Sequence, residues 1–251
     1  MLPQRLNPGV LLAVAAACST IAVAQQQQPT SGGLYAVTHV VIKADHRASY
    51  LDYLKKVSDG YKKAGVQSFH VYVGLAGNPL EYVLVRSVKN YAELDEPNAL
   101  AKAYTETQLA QVNTIRDQCT ESVRISYERS VASVGGGEPK AFRGVFRFRV
   151  KPGMNEAYMN AMKNEFVPAA SKVDGTRWRL RRIERGGSPS DFIQTFDVDK
   201  MAKYDEPSTT TKAFGAEGAA KWNTKLTELG TPIESLLYRH LPGFGYTLPA
   251  R

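Results

Sequence analysis

The sequence predicts an α+β fold in which two βαββαβ units pack sheet to sheet. Three observations carry this. "ELDEPNALAKAY" (Glu93 to Tyr104) and "KYDEPSTTTKAF" (Lys203 to Phe214) share Asp-Glu-Pro, followed at one spacing by Lys-Ala-aromatic, with Asp205 lying 110 residues after Asp95. Three further matches keep the order and nearly the offset: "IKADHRASY" with "VKPGMNEAY" at 108, "GLAGNPLEY" with "ERGGSPSDF" at 110, and "ISYERS" with "LLYRHL" at 111. The same succession of strand, helix and turn signals then runs through both copies. Matches in one order with small drift are the mark of an internal duplication.

Each unit opens on a strand, "YAVTHVVIK" or "FRGVFRFRV", rich in β-branched and aromatic residues. A helix follows, because Tyr50, Leu54, Val57 and Tyr61 fall on one stripe at spacings of three and four, as do Tyr158, Met162 and Phe166. Two strands then flank a reversal: "SFHVYVGL" and "EYVLVRSV" around Ala-Gly-Asn-Pro, "RWRLRRIE" and "DFIQTFDV" around Gly-Gly-Ser-Pro. Gly and Pro supply the backbone angles of a hairpin turn. A second helix begins near each Asp-Glu-Pro, where proline suits the first turn and carboxylates suit the helix dipole, and runs toward Arg116 or Lys225. A last strand passes Tyr127 or Tyr238. This order is that of the ferredoxin-like split: a four-stranded antiparallel sheet with both helices on one face. "YAVTHVVIK" is apolar at both parities, as for a sheet buried on both sides. The sheet of the other copy is the simplest cover, giving a pseudo-dimeric α+β barrel with helices outside.

The chain divides accordingly. Residues 1–24 are read as a signal peptide, with Arg5 before the apolar "GVLLAVAAACSTIAVA" and Ala22-Val23-Ala24 as a small-x-small cleavage site. The run is short for a membrane span, and lipidation at Cys18 is disfavoured by Ala15 at a position that usually carries a larger aliphatic. The expected location is therefore periplasmic or secreted. Residues 25–34 form a polar leader, 35–132 the first repeat, 133–140 a glycine-rich linker and 141–251 the second repeat. Only Cys119 survives signal cleavage, so the mature chain forms no intramolecular disulfide. A net charge of +8 favours an anionic small molecule, acidic polymer or membrane surface as partner. The Lys/Arg-aromatic signatures of common nucleic-acid modules are missing, and no nucleic-acid partner is expected.

The βαββαβ order of each half and the passage "VKPGMNEAYMNAM", a strand entering a helix after Lys-Pro-Gly, resemble the dimeric α+β barrel superfamily. That superfamily includes antibiotic-biosynthesis monooxygenases, NIPSNAP-like proteins and stress-responsive barrel proteins. The resemblance implies a barrel usually built by two subunits and here by tandem copies in one chain, as monomer or homodimer. It spans cofactor-free oxygenases, haem-degrading enzymes and chlorite dismutase-like haem proteins, so it fixes no reaction, and no catalytic motif transfers position by position.

Strand parity locates the candidate ligand site. Phe146, Phe148 and Val150 are the more apolar parity of their strand and should face the helices, leaving Val145, Arg147 and Arg149 inward. At an offset of 108, Val37, His39 and Val41 are their counterparts, which makes His39 and Arg147 equivalent. The second strands conflict. Phe69, Val71 and Val73 claim the helix side, but the positions 110 later are Arg179, Arg181 and Ile183. If the first copy sets the register, His70 and Tyr72 face inward with Trp178 and Leu180; if the second does, Trp178 packs on the helices and the arginines line the interior. The arginine run lies beside a strand carrying Asp191 and Asp197, so cross-strand ion pairing at an edge is its plainer role.

The candidate ligand-binding set is thus His39, Arg147, Arg149, His70, Tyr72 and Trp178. No catalytic residue is assigned. The four histidines show no metal-ligand spacing, so no metal site is assigned either, and the cofactor is left open, with haem ligation by a histidine one alternative. The expected function is binding of a small anionic or aromatic molecule between the sheets. The alternatives are a cofactor-independent or haem-dependent monooxygenase, and a structural protein with a filled barrel.

Overall fold

A computed structural model describes residues 32–249. The expected signal segment and most of the expected leader lie outside the described residues. The first half contains β1 (Leu34–Ile42), α1 (Arg47–Lys63), β2 (Ser68–Ala76), β3 (Glu81–Val88), α2 (Ala99–Ala103), α3 (Glu106–Cys119) and β4 (Thr120–Val134). The second contains β5 (Phe142–Val150), α4 (Asn155–Ala161), a π turn (Met162–Phe166), α5 (Val167–Ala170), β6 (Trp178–Arg185), β7 (Asp191–Val198), α6 (Thr209–Leu229) and β8 (Gly230–His240). A short β9 (Tyr246–Thr247) follows.

In the first half the strand order is β4-β1-β3-β2, and in the second β8-β5-β7-β6, every pairing antiparallel. The halves join edge to edge, β4 with β6 and β8 with β2, which closes an eight-stranded barrel. Closure removes the exposed sheet edges that each half alone would carry. β9 extends the β8 side by pairing with Ser68 and Phe69.

The helix stripes are buried as their spacing predicts. Tyr50, Leu54 and Val57 pack with Val40, Ile42, Phe69, Val71 and Tyr82 in one core between sheet and helices. Tyr158, Met162 and Phe166 pack with Phe148, Trp178, Leu180, Phe192 and Trp222 in the other. Pro168 offers no N–H to a carbonyl one turn back, and the helix widens into its π turn just before it.

The repeated Asp-Glu-Pro lies outside the helices rather than in their first turn. Pro97 and Pro207 stand one residue before the N-caps Asn98 and Ser208, whose side chains accept from the backbone N–H of Leu100 and Thr211. Glu96 pairs with Lys102, and Glu206 with Lys212 at 2.6 Å. The repeated lysine thus ties each helix to the glutamate of its own lead-in. The second helix is also not continuous: Tyr104 and Thr105 break it in the first half, and Gly215, at φ 71°, kinks it in the second.

Candidate functional site

The pairing registers settle which side chains enter the barrel. Val37 lies opposite Val85 and Ser126, and His39 opposite Val83 and Arg124. Val145 lies opposite Thr195 and Leu236, and Arg147 opposite Ile193 and Glu234. All twelve surround one interior cavity, so the two first strands stand at the offset of 108 and His39 and Arg147 are equivalent positions.

The conflict over the second strands dissolves on a single residue. Phe69 pairs with Arg86 and Trp178 with Phe196, so β2 and β6 are offset by 109 while β3 and β7 are offset by 110. Eight residues separate Val73 from its partner Tyr82, and nine separate Arg182 from Phe192. The extra residue sits in the second hairpin. Each strand then keeps its own apolar parity on the helices: Phe69 and Val71 in one half, Trp178 and Leu180 in the other.

Three expected site residues do not line the cavity, of which only Trp178 is moved by that offset. Trp178 turns from the barrel, packs against Phe166, and donates from Nε1 to Gln194 Oε1 at 3.1 Å. Arg149 shares Arg147's parity but stands at the strand's last turn toward solvent, its side chain 52% exposed. His70 keeps the inward parity of Tyr72 but lies beyond the residues that line the cavity. Its ring is 5.5 Å from that of His240, and its Nε2 faces Thr247 Oγ1 at 3.1 Å. Tyr72, by contrast, lines the cavity with His39 and Arg147.

The predicted cross-strand ion pairing is real, but it lies within the barrel. Arg143 donates to Asp197 through Nε and Nη2 at 2.6 and 2.8 Å, and Arg179 adds a third bond at 2.9 Å. Arg147 and Arg149 both donate to Asp191, at 2.5 to 3.1 Å. Burial raises the pKa of both aspartates, but the two arginines on each more than offset it and hold both carboxyls below the usual range. In the first half His39 Nδ1 stands 2.8 Å from Glu81 Oε1, and Tyr238 donates to Glu81 Oε2 at 3.0 Å. The hydrogen bond from His39 lowers the Glu81 pKa against a smaller opposing effect of burial.

The deeper part of the cavity is not self-satisfied. Arg181 Nη1 is 3.0 Å from Glu128 Oε2, yet the two are not aligned for a hydrogen bond. Arg181 Nε, Tyr72 Oη and Thr195 Oγ1 are likewise buried without a partner. All four residues line the same cavity, beside Val37, Val83, Val85, Val145, Ile183 and Ile193. Burial pushes the Tyr72 hydroxyl up to about 12, so it remains a donor. The space open to the centres of water molecules is about 60 Å³. A water needs roughly 10–15 Å³ on that measure, so the cavity holds a few waters or one small molecule.

Arg181 enters the interior as the second copy's register requires, and Asp197 is an expected ion-pair partner; Arg143, Glu128 and Thr195 have no place in the sequence-based site. Alternation within "RWRLRRIE" carried the signal for Arg181 once Trp178 and Leu180 were put on the helix side. Glu128 was hidden because Tyr127 had been matched with Tyr238. Strand pairing instead makes Glu128 the counterpart of Tyr238, since they lie opposite Tyr35 and Arg143.

A haem does not fit these residues. The cavity is far smaller than a tetrapyrrole, His39 Nδ1 is engaged by Glu81, and the spaces between sheets and helices are filled by packed aromatic side chains. Among the described residues no group of three or more His, Cys, Asp or Glu is placed to hold a metal ion, and no helix is long and apolar enough to cross a membrane.

No protein-family model matches the chain. No curated protein matches it either. Solved structures do. A candidate monooxygenase from Fusobacterium nucleatum subsp. nucleatum is 13% identical with a TM-score of 0.61, over 84% of this chain and 94% of that one. A candidate monooxygenase from Lactobacillus acidophilus NCFM is 9% identical with a TM-score of 0.63, over 86% and 96%. A variant chlorite dismutase from Candidatus Nitrospira defluvii is 12% identical with a TM-score of 0.54, over 87% and 96%. At such identities the likeness is one of fold: a dimeric α+β barrel, with both halves here in one polypeptide.

Proposed function

We propose that the protein binds a small anionic or aromatic organic molecule inside its barrel. The observation that carries this is the gathering of unpartnered buried polar atoms from Arg181, Glu128, Tyr72 and Thr195 around one cavity with an otherwise apolar wall. Burying such groups unpaired costs about 1–3 kcal/mol each, and a site kept at that cost is one where a ligand completes the bonds. The N-terminal segment fits the same reading as an export signal cleaved before Gln25, which the intact mass of the exported protein reports.

The conservative variants Tyr72→Phe and Thr195→Val test the binding role. Each deletes an unsatisfied hydroxyl without opening much space, so thermal unfolding is expected at or above the wild-type temperature. Calorimetric affinity for a ligand found among small carboxylates and phenols is expected to fall on the order of tenfold. A clear loss of stability in both variants, with no saturable ligand for the wild type, would sink the reading and leave a filled structural barrel.

One observation favours a second reading, an oxygenase of the cofactor-independent kind. His39 lines the cavity with Nδ1 held by Glu81, and Glu81 is held in turn by Tyr238. A carboxylate on Nδ1 leaves Nε2 as the basic nitrogen, the arrangement of a general base that takes a proton from a weakly acidic substrate. Two of the fold neighbours are described as candidate monooxygenases. Oxygen uptake with quinol-type substrates, lost in His39→Gln, supports this reading; no uptake in the wild type rejects it.

A further inference from the structure

Resting on the binding reading above, we infer that the molecule held in the barrel is a small monocarboxylate that also carries a hydroxyl, a short hydroxy acid. The argument starts from a difference between the two walls. On the second-half wall Asp197 is shared by Arg143 and Arg179, and Asp191 by Arg147 and Arg149, so each cluster carries one positive charge in excess. The equivalent positions of the first half are Tyr35, His70 and Ser87, then His39, Val41 and Glu81, as the strand pairings give them. That half places one guanidinium on the cavity, Arg124, which lies near Glu81, and otherwise presents Val37, Val83 and Val85. At the buried cluster of Arg143, Arg179 and Asp197 such an imbalance is weakly screened, while at Asp191 the outer arginine faces solvent; together they favour an anion against the second-half wall, with its carbon body against the valines.

The unpartnered atoms specify the rest. Arg181 Nε can only donate, and the hydroxyls of Tyr72 and Thr195 are free to donate beside it. A carboxylate accepts from all three. Glu128 Oε2 is the complementary case, a buried acceptor ion-paired with Arg181 but without a hydrogen bond, which a hydroxyl on the same ligand supplies. The carboxylates of Glu128 and Glu234 also line the cavity and oppose a dianion. The available space, at the volume one water takes, admits about four to six non-hydrogen atoms. Glycolate and lactate satisfy all of these conditions; an aromatic acid exceeds the last.

The test is a calorimetric and saturation-transfer NMR comparison on the full mature protein with glycolate, lactate, acetate, propane-1,2-diol and phenol. Glycolate or lactate is expected to bind saturably, acetate on the order of tenfold more weakly for want of the donor, and the diol not at all. Glu128→Gln is expected to reduce the preference for hydroxy acid over acetate, with Thr195→Val weakening both acids together. If the diol or phenol binds as tightly as the hydroxy acids, the inference fails while the binding reading stands. If none of the five binds and the wider carboxylate and phenol panel is also silent, both fail.

Discussion

His70 and His240 illustrate what burial does to a single side chain. Their rings pack edge to face, His70 Nδ1 and His240 Nε2 are buried without partners, and Arg143, Arg179 and Asp197 lie close behind. Burial, then the neighbouring His240 and the two arginines, lower the His70 pKa to about 3. Burial and Arg143 lower that of His240 as well. Both rings are bases whose folded-state pKa lies below the unfolded value, so the folded chain binds fewer protons in acid. Stability is full above the unfolded value of about 6.5 and falls as the pH drops below it, at up to about 1.4 kcal/mol per pH unit for one such group. Asp191, Asp197 and Glu81 are depressed carboxylates, and their contribution is lost only below about pH 4. The urea midpoint is therefore expected to fall already between pH 6.5 and 4.5. His240→Gln should make that part of the profile shallower, leaving the contribution of His70, and keep the steeper loss below pH 4. An unchanged wild-type midpoint from pH 7 to 4.5 would show that these rings are not held neutral by the fold.

At the scale of elements, the sequence was legible wherever an apolar period repeats within one strand or helix. Tyr50, Leu54 and Val57 mark one buried stripe, Tyr158, Met162 and Phe166 the other, and Gly and Pro mark both hairpins. What failed was counting across loops. Parity in a strand has a period of two, so one additional hairpin residue reverses every inward and outward assignment beyond it. That residue made Trp178 a candidate for the interior and set it in competition with Arg181, which is the one that enters. A similar slip paired Tyr127 with Tyr238, because two tyrosines are a more visible match than a glutamate and a tyrosine. The site was legible where no loop intervened, at His39 and Arg147, and at Tyr72 through its own strand. It was illegible where it depends on ion pairs between strands far apart in sequence, such as Arg181 with Glu128.

At the scale of the whole molecule, charge argues that the two halves are not interchangeable. Each half alone leaves the outer edges of two strands unpaired and exposes its inward face. Two second halves facing each other would set the clusters around Asp191 and Asp197 against their own copies, bringing Arg143 and Arg147 of both into one interior and leaving every Arg181 without Glu128. Like charges so enclosed repel strongly. The mixed pair instead sets those arginines opposite Glu128 and the valine wall. A chain cut between Gly136 and Gly137, with the two pieces co-expressed, is therefore expected to elute as a one-to-one complex with the unfolding transition of the intact protein. The second-half piece alone should stay aggregated or unfolded at low salt. A second-half homodimer as stable as the mixed pair, seen by light scattering and thermal unfolding, would show that the barrel interior imposes no such choice. It would also remove the charge asymmetry on which an anionic ligand depends.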